Sequence, residues 1–452
     1  MNSRSDYILG AALDGFWKFL ELAPLLVPLA IAVAVIARVP FYRETMVALA
    51  LSLFTWAPLW LTITLVAVLI RVWAAYTRKR FLASQKMVLL EIRVPRDVDK
   101  SPLAMEIVLS ALHQTVGEST LWDRVMVGKI RAHFSLEIVS IEGNVKFMIY
   151  TRASMRTFIE SQIYSQYPSS EIHEVSDYIT HIPYAERDSH WALFAVEFGL
   201  TKPDPYPIKT YVDYETDKDV FEEKKIDPIT PLLEWMGALG QGEQAWFQIL
   251  VRSNKGVKDP ITGKGGDPTT YWMKDWKGDA KKIVEKIIEE SKKRGADPTS
   301  EFSPMFAQLT EGERNTIKAI ERSIGKLGFD CGVRSIYIAK KEKFNGGNIA
   351  GLFGTVKQYN SNDLNGFKPT KYTDFDYPWE DYKKYRLSKL KWKMFDAYRR
   401  RSWFLPPYER KPFVLNSEEL ATMYHFPGKV ATTPTFERIE SKKAEPPRNL
   451  PT

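Results

Sequence analysis

Two long apolar stretches dominate the start of the chain. Phe19 to Ala37 reads FLELAPLLVPLAIAVAVIA with one charge, Glu21, and at 1.5 Å per residue it reaches about 28 Å, close to the hydrocarbon thickness of a bilayer. Met46 to Ile70 carries no charge at all. The pattern predicts a two-helix transmembrane hairpin, spans 19–37 and 46–70, within an N-terminal segment 1–80. A signal peptide would have a short apolar core and a cleavage site, whereas a second span follows here almost at once. Pro24, Pro28 and Pro58 suit membrane helices better than soluble ones. The turn carries Arg38 and Arg43, against Arg4, Lys18, Arg71, Arg78, Lys79 and Arg80 at the outer ends. That bias places both termini, and the body that follows, in the cytoplasm. Trp17, Phe41, Tyr42, Trp73 and Tyr76 fall where interfacial aromatics belong.

Beyond Lys86 the period shortens to two. KMVLLEIRVP reads as a strand and KSPLAMEIVLSALHQT as a helix with Ser101 at its cap and Pro102 in its first turn. HFSLEIVSIEGNVKFMIYT reads as a hairpin turning at Glu-Gly-Asn, RASMRTFIESQIYSQYP as a helix, and SEIHEV as a strand. This β-α-β-β-α-β order predicts a ferredoxin-like (split βαβ) module over 84–180. Residues 188–370 repeat the theme. HWALFAVEFGL, YPIKTYVDY, QAWFQILVRSN and CGVRSIYIAKK read as strands; DPITPLLEWMGALG, the Thr310–Glu313 capping box and its run, and NIAGLFGTVKQYN read as helices. SPLAMEIVLSAL and TPLLEWMGAL share a hydroxyl, Pro, Leu and a closing Ala-Leu at the same stage, a sign of duplication. A Gly/Pro/Lys-rich loop, 255–275, interrupts the second module and a helix, 276–295, extends it. The fold class is therefore α+β: a transmembrane hairpin, two ferredoxin-like modules, a basic amphipathic helix in 371–411, and a Pro-containing linker or docking tail, 412–452.

The basic helix is the one stretch whose composition points outward. Lys383 to Lys411 holds eleven Lys or Arg against two acids, Asp396 and Glu409. Lys389, Lys391, Lys393, Arg399, Arg400 and Arg401, with Arg78, Lys79 and Arg80 beside the membrane, are the candidate contacts for nucleic-acid phosphates or anionic lipid. A solvated face whose aromatics pack on the chain's own core has the same composition.

Composition narrows the chemistry further. The 452 residues are 44% hydrophobic and 26% charged, with a formal net charge of +8. A lone cysteine, Cys331, excludes an intrachain disulfide framework and suits a reducing compartment. The six histidines (His113, His133, His173, His181, His190, His425) show no metal-ligand spacing. GVKDPITGKGGDP resembles a phosphate loop but has Lys258 where the first Gly belongs and Gly265 where Ser or Thr must follow Lys264. No GxSxG or Cys/His pairing stands out. The expectation is a non-enzyme without catalytic residues, cofactor or metal.

The final stretch carries a resemblance. VLNSEELATMYHFPGKVATTPTFERIESKKAEPPRNLPT, with the stretch from GLFGTVKQYN to LNGFKP at 351–369, is similar to the segment ahead of the motor domain in membrane-anchored HerA/FtsK-like conjugative ATPases and type IV secretion coupling proteins. The resemblance rests on the acidic helix Ser417–Met423, on His425, Phe426 and Pro427, and on the exit Pro446, Pro447, Asn449, Leu450 and Pro451. It implies that those eight residues from His425 onward dock a partner. It further implies a bacterial inner-membrane protein, a P-loop motor ATPase on a separate chain as partner, DNA within reach, and homo-oligomerisation like that of the hexameric motors. The Walker and arginine-finger positions of that family have no counterpart here.

Overall fold

Strand β1 (Met87–Arg93) has five consecutive buried residues between half-exposed ends, as a strand paired on both edges and covered on both faces must. It lies between β3 (Asn144–Arg152) and β4 (Glu171–Val175), antiparallel to each. Seen in a computed structural model, the described residues are 48, 51–52, 54–95, 100–115, 120, 122–184, 189–214, 227–255, 276–295, 309–375, 385–405 and 407–428. The expected first span, most of the loop 255–275 and the tail from 429 fall outside them.

The described residues are mixed α+β, built on one nine-stranded antiparallel sheet. β2 (His133–Ile141) and β3 are joined by a two-residue turn in which Glu142 and Gly143 both have positive φ, 54° and 87°, the hairpin geometry read from Glu-Gly-Asn. The first four strands lie in the order β4-β1-β3-β2. The remaining strands are β5 (Trp191–Leu200), β6 (Glu243–Ser253), β7 (Gly328–Lys340) and β8 (Phe367–Tyr372), in the order β6-β7-β5-β8. Edge strand β2 pairs with β6 from His133↔Arg252 to Ile141↔Gln244, fusing the halves into a single sheet. β9 (Phe413–Asn416) adds to the start of β7.

Alternation sorts side chains onto two faces. Phe134, Leu136, Ile138, Phe247, Ile249, Val333 and Tyr337 enter the larger core. The helices α2 (Pro102–Ala111), α3 (Arg156–Gln166), α4 (Thr230–Gly237), α7 (Gly347–Gly354) and α9 (Ser417–Met423) contribute to that same core. The opposite face buries Val139, Trp246, Ile336 and Ile338 against Met394, Phe395 and Tyr398 of α8 (Tyr385–Arg399) and against Tyr178 and Ile179. Between β6 and β7 stand α5 (Trp276–Gly295) and α6 (Glu311–Ile324), the latter opened by the Thr310–Glu313 capping box.

Two expectations are corrected. YPIKTYVDY is a turn: Asp213 accepts from the Thr210 N–H at 2.8 Å, and the backbone N–H groups of Ile208 and Tyr211 donate to side chains of α9, Glu419 and Thr422, rather than to a strand neighbour. The stretch from 412 is no linker as far as it is described, because β9 and α9 are buried in the body. The helix that bears the second apolar stretch does not end with it. Helix α1 (Ala57–Ser84) carries on through RVWAAYTRKRFLAS, a run without Gly or Pro to end it.

By its internal contacts the chain divides into two units, residues 1–83 with 118–130, and 84–117 with 131–452. Within the first, α1 is long and apolar enough to cross a membrane, and none of its most apolar window is buried. It is the one such helix among the described residues.

Candidate partner-facing site

On the α8 face a row of polar side chains crosses five strands in register. Glu137 (β2) faces Gln248 (β6), Gln248 faces Arg334 (β7), Arg334 faces Glu197 (β5), and Glu197 faces Lys371 (β8). All but Lys371 are buried. Charged groups out of water require partners, and the chain after α8 supplies them.

At the β2 end the row is sealed. The Arg401 guanidinium donates to both Glu137 oxygens, at 3.0 and 3.2 Å, and to Asp177, stacking 4.1 Å from the Tyr150 ring centre. Glu137 also accepts from Ser135, Gln248 and Tyr178 at 2.8 to 2.9 Å. Tyr178 shares a hydrogen bond with Tyr398 at 2.8 Å, and burial pushes both phenols well up. Burial works against the charge of Arg401, but Glu137 and Asp177 outweigh it and raise its pKa well above the ordinary value.

Local backbone explains why this arginine turns inward. Ser402 N–H reaches Ala397 C=O and Arg401 N–H reaches Tyr398 C=O, the Schellman closure of α8 with Arg401 at the position glycine usually takes. Its φ of 48° is left-handed, a conformation costing a non-glycine residue about 1–2 kcal/mol. The ion pair holds it there. The turn then lays Trp403 over Gly332, where even a Cβ would stand 2.2 Å from the indole.

At the β8 end the row is half-open. Arg334, wholly buried beneath Trp403, donates to Ser402 C=O at 2.7 Å and sits 3.7 Å from Glu197. Burial lowers its pKa to about 10. Arg410 donates to the other Glu197 oxygen at 3.0 Å while a third of its side chain remains in solvent. Lys371 has its pKa lowered to about 8, by burial first and then by Arg410. Lys389 and Lys393 are exposed on α8. One buried carboxylate here serves Arg334 and Arg410, with Lys371 alongside, so positive charge is in excess.

The nominated residues thus scatter. Arg399 and Arg400 both donate to Asp396, at 2.5 and 2.7 Å, while remaining exposed, whereas Arg401 is 3% exposed, so of the triple-arginine run Arg401 alone is withdrawn from solvent; Lys389 and Lys393 are exposed on α8 and Lys391 is half-buried there. Arg78, Lys79 and Arg80 lie in the last two turns of α1. His425, Phe426 and Pro427 are buried, which corrects their assignment as docking residues. His425 bonds Asp227 at 2.8 Å and Phe426 packs edge-on against Phe147 and Tyr167. Pro446, Pro447, Asn449, Leu450 and Pro451 lie outside the described residues. Sequence reading missed Lys371, Arg410, Arg334 and Glu197.

A second polar cluster ties α9 to α2: Lys326 bridges Glu106 and Glu418 at 2.7 and 2.8 Å, and Arg322 reaches Glu418 at 3.0 Å. A cavity of about 460 Å³ opens nearby, lined by Lys209, Asp213, Lys318, Arg322 and Asp363. Its charges are of both signs and selects no ligand class. No group of three or more candidate metal ligands occurs among the described residues.

A family model for DUF8128, a domain of unknown function, matches residues 77–438. The chain belongs to the DUF8128 family. The matched region spans the nine described strands and the polar row of this chain. No curated protein matches the chain.

Proposed function

We propose that this DUF8128 protein is a membrane-anchored, non-catalytic component of a conjugative DNA-transfer or type IV secretion-like machine, which holds a separate P-loop ATPase at the cytoplasmic face of the bacterial inner membrane. The observation that carries the anchor is α1: from Ala57 to Thr77 its only charge is Arg71, a length of about 30 Å. Two residues separate it from β1. The apolar stretch 19–37 would complete the hairpin, and the basic cluster Arg78–Arg80 favours a cytoplasmic exit.

In this reading the body is a duplicated ferredoxin-like unit. β1-α2-β2-β3-α3-β4 gives the order 4-1-3-2, and β5-α4-β6-β7-α7-β8 gives the same order from the opposite edge. α2 and α4, the two helices with matching sequences, occupy equivalent steps. The half-open cationic end, Lys371, Lys389, Lys393 and Arg410, is the face offered to the partner. Affinity isolation of the full chain from detergent-solubilised host membranes tests this. A P-loop ATPase recovered with it supports the proposal; a chain extracted by alkaline wash, or one recovered without an ATPase, refutes it.

A second reading makes the same cationic end a phosphate-backbone contact for DNA. The excess of Lys and Arg over the single carboxylate Glu197 favours it. Its signature is a DNA affinity that falls steeply with salt and falls further in Lys371→Ala/Lys393→Ala.

A further inference from the structure

The first unit contains a feature that an anchor alone does not require. Segment 120–130 folds onto α1 rather than being a free excursion between α2 and β2. Gly128, at φ 72°, lies so close to the helix that a Cβ there would stand 2.3 Å from the Thr77 carbonyl carbon and 2.6 Å from the Arg78 nitrogen. The contact is therefore backbone on backbone. Thr77 is 5% exposed, and its hydroxyl is shared between Ala74 C=O and Val125 C=O, both at 3.1 Å. Within the segment Thr120 caps Asp123 at 3.0 Å, Asp123 pairs with Lys129 at 2.9 Å, and residues Asp123–Val127 form a single π-type turn.

This turn leaves its apolar side chains outside. Trp122 is 66% exposed, Met126 48% and Val127 39%. An ordered, doubly braced turn that exposes a tryptophan is shaped for an apolar partner. What lies next to it on α1 says which: Trp73 and Tyr76 are exposed four residues and one residue before Thr77, and Arg78 to Arg80 follow it. Aromatics then cations mark the level at which a membrane helix leaves the headgroup region.

We infer that segment 120–130 is a second membrane contact, in which Trp122, Met126 and Val127 enter the headgroup–acyl boundary of the bilayer beside the exit of α1. The inference rests on the membrane-span reading above. It assigns Trp and Met to the depth at which amphipathic side chains partition best, and it gives the helix end a fixed depth and rotation. Gly128 is the hinge pin, since any side chain there pushes the segment off Thr77.

Full-length protein in phospholipid vesicles carrying nitroxide lipids decides it. An environment-sensitive fluorophore is placed at Met126→Cys, at Leu65→Cys within α1, and at Lys286→Cys on α5. The native Cys331 is buried and its thiol is pushed well up, so it does not compete for label. The expected result is quenching at 126 by a shallow nitroxide and much less by a deep one, quenching at 65 by the deep one, and none at 286. Adding Gly128→Ala abolishes quenching at 126 and leaves 65 unchanged. A quenched 65 with an unquenched, water-exposed 126 overturns the inference and leaves the span standing. A 126 label shielded from water but unquenched points to a second copy of the chain and overturns it too. An unquenched 65 defeats the span itself, and the inference with it.

Discussion

The two ends of the polar row differ in one respect that decides their roles. At the Glu137 end the buried carboxylate is closed off: Arg401 is 3% exposed and bridges Glu137, which is wholly buried, to Asp177 at the rim. At the Glu197 end two guanidiniums share one carboxylate, and Lys371 stands beside them with a depressed pKa. The first end fixes the polypeptide after α8 to the sheet; the second keeps unmatched positive charge near solvent. One row of side chains thus serves as a clamp at one edge and as a candidate docking face at the other.

The sharpest way to break the comparison is at Arg401. Arg401→Ala leaves Glu137 buried and uncompensated, and a loss of about 3–5 kcal/mol is expected in urea unfolding. Arg401→Gly also removes the pair but relieves the left-handed backbone, so it should be about 1 kcal/mol less damaging than the alanine change. If glycine and alanine prove equal, the strain argument fails. At the open end Arg410→Ala removes a partly exposed hydrogen bond to Glu197. About 1 kcal/mol is expected, since solvent screens it and Arg334 still faces the carboxylate. A larger loss than at Arg401 would reverse the ranking of the two ends.

The smallest effect is in the pH response of Lys371. Its folded pKa is lowered to about 8, below the ordinary lysine value, so between about 8 and 10.5 the folded chain holds fewer protons there than the unfolded one. Stability contributed by this site therefore rises with pH across that window and is lost as pH falls through it. Lys371→Met should be at least as stable as the native chain at pH 7 and lack that rise. A variant clearly less stable at pH 7 would show that Lys371 is paired rather than crowded by cations.

Much of the body was legible because periodicity is local. α5 and α6 and the hairpin at Glu142–Gly143 follow from runs and caps a few residues long. The row was not, although its traces are present: Glu137, Gln248, Arg334 and Glu197 each interrupt an apolar strand at an inward position (SLEIV, WFQIL, GVRSI, AVEFG). Only the strand order places the four interruptions side by side. The arginine run misled for a similar reason. Composition describes Arg399 to Arg401 as one patch, while the Schellman turn sends the third into the core and Asp396 holds the first two. HFP, 425–427, read as a docking motif by resemblance, is buried because Phe426 packs on Phe147 and Tyr167 while Asp227 and the Ala421 carbonyl satisfy the His425 ring. YPIKTYVDY alternated like a strand, but Thr210 and Asp213 closed a turn within it.

The central claim is that the half-open end of the row faces a motor ATPase at the membrane. A photo-crosslinking residue at Lys393, in the full chain expressed in its host membrane, tests it most directly. The expected product is a crosslinked adduct whose second component is a P-loop ATPase, with no such adduct from a crosslinker at Lys286. Adducts to DNA instead would move the assignment to the nucleic-acid reading, and a Lys393 probe that captures neither would contradict the claim.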